Sequence, residues 1–141
     1  MPLNLAAAQT IVSAGLAHAR KAGMRPLAIV VLDARASVVA AATEDNNSLK
    51  RFDIARGKAV GSLAFNLNSK KLGEMAVERP HFMAGVAHSI GEIVPVAGGV
   101  IVRDAGGAVV GAVGVSGDTS DNDEAAAAAG IRAAGLTPDG L

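Results

Sequence analysis

Gly98-Gly99-Val100-Ile101-Val102, followed by Gly106-Gly107-Ala108-Val109-Val110-Gly111-Ala112-Val113-Gly114-Val115-Ser116-Gly117, is the stretch on which the fold turns. Residues 96–102 and 108–115 are short apolar runs rich in valine, and Arg103-Asp104-Ala105 with Gly106-Gly107 makes the turn between them. The pair reads as two antiparallel strands. Because these glycines lie in a turn and a strand, not in a loop feeding a helix, they are no dinucleotide-binding fingerprint. A phosphate loop of the Walker type is absent as well. Downstream, residues 120–134 predict a helix, with Ser120 and Asp123 at capping-box spacing. Residues 137–141, Thr137-Pro138-Asp139-Gly140-Leu141, read as a short polar tail after a single domain over 1–136.

Working upstream, residues 27–32 form an apolar run ending at Asp33, and residues 37–43 follow at hairpin spacing. Before them, Asn4 is positioned to cap a helix whose apolar face is Leu5, Ala8, Ile11, Val12, Leu16 and Ala19, with Gly23 past its end. A second helix is expected from Ser48 to about Asn66, and a shorter one capped by Ser69 to about Ala76. Residues 78–90, with Arg79-Pro80-His81-Phe82-Met83 at their start, read as an irregular loop. The order α-β-β-α-α-β-β-α predicts an α+β fold, an antiparallel sheet of four to five strands covered by helices. The threefold spacing of Gly111, Gly114 and Gly117 leaves bare backbone, suited either to close helix-on-sheet packing or to a flat ligand.

Composition narrows the function classes. Of 141 residues, 50% are hydrophobic and 18% charged, which excludes a disordered chain. Thirteen basic and thirteen acidic residues cancel, and there are three Phe with no Tyr or Trp, so nucleic acid is not the expected partner. The absence of cysteine removes disulfides, thiolate metal sites and cysteine nucleophiles together. Met1-Pro2-Leu3-Asn4-Leu5 lacks the basic and apolar regions of a secretory signal, and no apolar stretch nears the ~20 residues of a membrane helix. The expected location is therefore the cytoplasm, without membrane contact.

The glycine-rich stretch, together with Asp123-Glu124 and the alanine run, resembles the signature of the GlcG/HbpS family, the haem-binding and PduO C-terminal-like group. Ala28-Ile29-Val30-Val31-Leu32-Asp33 is similar to that family's first strand, and Ala55 with Lys58-Ala59 to its following helix. The likeness runs from about Leu5 to Gly135. Departures occur at Ala34-Arg35-Ala36, where the family has paired glycines, at Ile101, where it has proline, and at Thr43-Glu44-Asp45-Asn46-Asn47 and Asn122. The resemblance implies a profilin-like α-β-α sandwich, a haem or other small-molecule ligand, and a homo-oligomer.

Candidate site residues follow. His81 and His88 flank Phe82 and Met83, and an imidazole titrating near neutrality serves either as an axial haem ligand or as a general acid/base. Neither has the i, i+4 partner of a helical zinc pair, so they are metal ligands only to a haem iron. Arg51 and Lys58 are cations able to hold a carboxylate, a haem propionate or an organic acid. With Gly98, Gly99 and Glu124 they complete the expected ligand-binding set, in a pocket between the glycine-rich sheet and the 78–90 segment. His18, on the first helix, reads as a surface or interface residue. Two readings stand. One is a haem- or small-molecule-binding protein. The other is a small cofactor-independent isomerase, tautomerase or hydrolase acting on a carboxylate-bearing catabolic intermediate, with His81 as acid/base.

Overall fold

The structure, a computed structural model, describes residues 3–141; Met1 and Pro2, part of the N-terminal stretch read above, lie outside it. Helix α1 (Leu5–Lys21) starts where expected, with the Asn4 side chain accepting the Ala7 N–H at 2.8 Å. The hairpin β1 (Ala28–Asp33) and β2 (Val38–Thr43) follows, then helices α2 (Arg51–Phe65), α3 (Ser69–Glu78) and α4 (Pro80–Ile90). Strands β3 (Gly99–Arg103) and β4 (Val109–Ser116), helix α5 (Ser120–Ala133) and the two-residue strand β5 (Thr137–Pro138) complete the chain. The sheet has the order β2-β1-β4-β3-β5 and every pairing is antiparallel, an α+β architecture.

Side chains alternate across a strand, so a sheet covered on both faces shows apolar residues at every position. That is what β1 does. Ile29 and Val31 join Val100, Val102, Val113 and Val115 against Ile11 of α1 and Ile131 of α5. Ala28, Val30 and Leu32 join Ile101 and Ala112 against Ala55 and Ala59 of α2. A third, smaller cluster of Leu72, Met83 and Ile93 sits under α3 and α4. Of the two uses open to the strand glycines, Gly114 serves packing. A Cβ there would strike the Ala55 carbonyl oxygen and lie 3.1 Å from the Ala59 Cβ, so α2 rests directly on the strand backbone.

Four expectations need correction. The 78–90 segment is not a loop: Pro80 begins α4, because at the first helical position proline's missing N–H has no partner to lose. Helix α2 starts three residues after Ser48, which instead accepts a hydrogen bond from Arg51 Nε at 3.0 Å. Ser69 is not a cap; its hydroxyl is buried and accepts the Gly99 N–H at 2.7 Å. Helix α5 is capped by Thr119, not Ser120, through the Asn122 N–H at 3.3 Å. The terminal residues also join the sheet: β5 pairs with β3, and Arg103 Nε donates to Asp139 at 2.8 Å. Among the described residues no helix is long and apolar enough to cross a membrane.

Candidate functional site

Two places gather polar side chains. The first lies where α2, the end of β4 and the start of α5 meet. Lys58 projects from α2 into this junction and is buried. Its Nζ donates to the Val115 carbonyl at 2.9 Å and to Asp123 Oδ2 at 3.2 Å. Asp123, equally buried, takes the Asp118 N–H on its other oxygen at 2.9 Å. Close approach requires glycine here, since a Cβ on Gly98 would come 2.7 Å from the Lys58 Nζ, and one on Gly99 would strike the Lys58 carbonyl. Burial lowers the Lys58 ammonium pKa; Asp123 opposes this and the nearby Arg51 adds to it. Arg51 Nη1 donates to the buried Ser116 hydroxyl at 3.3 Å. One loop further, Asp118 is held well below the usual carboxylate range by the Arg25 N–H, the Asn122 amide and the Thr119 N–H.

The second place is an open depression of about 590 Å³ between α1 and α5. It exists because α5 presents Ala125, Ala128 and Ala129 along one face, too small to fill the space in front of them. His18 of α1 and Leu141 form further walls. Charges mark its length, with Asp121 and Glu124 toward the start of α5 and Arg132 a little over two turns further on. Glu124 is only 8% exposed, and burial raises its carboxyl pKa, with Lys70 opposing and Asp121 reinforcing the rise. Asp121 itself is reached by Lys70 Nζ at 3.4 Å.

The sequence candidates therefore separate. Arg51, Lys58, Gly98 and Gly99 come together around the buried junction, and Glu124 follows Asp123 on α5 but faces the depression. His81, Phe82 and His88 stand elsewhere, on α4, which packs against α3. Both histidines are exposed, and at a spacing of seven they share one helical face. Phe82 meets Phe65 edge-on with ring centroids 6.3 Å apart, and the Arg79 guanidinium stacks 4.1 Å over it. Sequence reasoning missed that His18 faces the depression, and missed Arg132 altogether. The available signal was the 121, 124/125, 128/129, 132 stripe of α5, bounded by charge and floored by alanine. It also missed Asp123 as the partner of Lys58, reading it as a capping acid.

Known proteins share this architecture. The family described as "Haem degrading protein HbpS-like" matches residues 3–132. Among solved structures, a PduOC:haem complex superposes with a TM-score of 0.85 at 20% identity, covering 96% of this chain and 97% of its own. A double mutant of HbpS from Streptomyces reticuli gives 0.80 at 28% identity, over 94% of this chain and 86% of that one. The Klebsiella pneumoniae protein ORFY gives 0.85 at 22%, over 96% and 92%. Among curated proteins, none matches the chain.

Proposed function

This chain belongs to the haem degrading protein HbpS-like family, and on that premise we propose that it binds haem, or a small organic ligand of similar chemistry, in the depression between α1 and α5. The observation that carries the reading is the lining: the His18 imidazole, an apolar floor of Ala125, Ala128 and Ala129, and the Arg132 guanidinium face one space. A haem asks for those three things, a nitrogen ligand for iron, an apolar wall for the macrocycle and a cation for a propionate. The volume of about 590 Å³ falls within the roughly 300–1,000 Å³ of small-molecule sites. When bound, the group would supply a redox-active iron. His18 would hold it and Arg132 would orient it.

Lys58 and Arg51 act behind this site. The Lys58–Asp123 pair anchors the first turn of α5, from which Asp121 and Glu124 reach the depression. A second reading places the ligand against α4, on the exposed face that carries His81 and His88, with Phe82 beside them. The exposed Phe82 ring under Arg79 favours it. A homo-oligomer would cover the open side of the depression. A haemin titration followed by absorbance separates the readings. Saturation at one haem per chain, lost in His18→Ala and retained in His81→Ala and His88→Ala, is the expected result. Loss in an α4 variant instead would move the site to α4, and no saturable Soret change would remove haem as the ligand.

A further inference from the structure

The depression holds one carboxylate that the fold leaves without a partner. Its neighbours on α5 are both engaged, Asp123 by Lys58 at 3.2 Å and Asp121 by Lys70 at 3.4 Å. Glu124, more than nine-tenths buried, receives no hydrogen bond and no ion pair among the described residues. It is not sealed in, however: among the described residues the Asn47 Nδ2 is the side-chain polar atom both fully covered and unpaired. Glu124 lines the depression, so its carboxyl is open to whatever occupies that space.

A ligand lying on Ala125, Ala128 and Ala129 covers that opening. An apolar group over Glu124 would then strand a covered carboxyl, at the full desolvation cost of a buried polar group without a partner. A ligand that brings an O–H to the same point avoids the cost, and a hydroxyl can donate to a carboxylate or accept from a carboxylic acid. At the other end of the stripe, Arg132 calls for an anion. Eight residues separate the two along α5, a rise of roughly 12 Å. Between them the wall is alanine and Leu141.

We propose that Glu124 selects the ligand: the molecule that fits this depression places an O–H donor over Glu124 and a carboxylate toward Arg132, joined by an apolar body of roughly 10 Å. The proposal rests on the reading that the depression, not α4, is the ligand site. It narrows the ligand class to amphipathic hydroxy acids or diacids.

The test uses two probes of suitable length, biphenyl carboxylate and its analogue with a hydroxyl at the opposite end, titrated into the full chain and followed by NMR at the α5 alanine methyls. The hydroxylated probe is expected to bind about tenfold more tightly, the equivalent of one well-made hydrogen bond to a charged or buried group. Glu124→Leu should abolish or reverse that preference, and Glu124→Gln, which keeps the shape and an acceptor, should retain part of it. Equal binding of the two probes by the natural protein, or an unchanged ratio in both variants, overturns the proposal. If neither probe perturbs the α5 methyls, the site assignment itself fails and the proposal falls with it.

Discussion

The Lys58–Asp123 pair offers the sharpest test of how the site is built. Replacing Lys58 by Met keeps the aliphatic stem and removes the ammonium. The Asp123 carboxylate then stays buried with the Asp118 N–H as its remaining hydrogen bond, and the Val115 carbonyl loses its donor. Removing one partner of a buried pair costs about 3–5 kcal/mol, a large part of a total stability of about 5–15 kcal/mol. For a chain of this length that is a fall in Tm of roughly 10–15 °C. The informative comparison is with the double variant, Lys58→Met together with Asp123→Asn. Its amide oxygen still accepts the Asp118 N–H, but no charge is buried, so at least about 2 kcal/mol should return. Urea denaturation followed by far-ultraviolet dichroism measures both, with m-values checked for constancy. A single variant within about 1 kcal/mol of the natural protein would refute the argument. So would a double variant no more stable than the single.

Two further predictions concern packing and pH. Gly114→Ala should destabilise by about 1–3 kcal/mol or more, because the new methyl meets the Ala55 backbone, which cannot move aside without lifting α2. Gly85→Ala on α4 meets nothing within 4 Å and should instead stabilise by about 0.5–1 kcal/mol; the same denaturation assay reads both. The raised pKa of Glu124 means the folded state holds its proton more tightly than the unfolded chain. Its burden on stability is therefore absent below the ordinary value of 4.5 and grows as pH rises through the folded value. Glu124→Gln should accordingly raise Tm at pH ~7 and have little effect below pH ~4. Equal shifts at both pH values would contradict this.

What was legible in the sequence was what is local. The Asn4 cap, the hairpin of residues 27–43 and the β-branched runs around Gly106-Gly107 each carry their signal within a few residues. The order of elements they imply already fixes an α+β sheet. Helix α4 reads as a loop from sequence because Pro80 is ambiguous: it breaks a helix from inside and starts one from its first position. Strand β5 is two residues long, and pairing with Val102 and Arg103 is decided by where the chain returns, not by propensity. The site divides along the same line. Lys58 stood out through its family-like setting, but its partner is 65 residues away, and nothing near Asp123 distinguishes a buried ion pair from a cap. His18 looked like a surface residue because the space in front of it comes from alanines on another helix. Conversely, His81 and His88 draw attention because the Pro80-His81-Phe82-Met83 stretch reads as a loop ahead of the glycine-rich strands, and the backbone sets them on an exposed helical face.

The central claim is that ligand binds between α1 and α5, and paramagnetic NMR tests it most directly. Ferric haemin broadens signals from nearby nuclei, so one equivalent should bleach the methyls of Ala125, Ala128 and Ala129 while those of Val77, Val86 and Ile90 around α4 persist. Bleaching confined to the α4 methyls, with the α5 alanines untouched, would contradict the account.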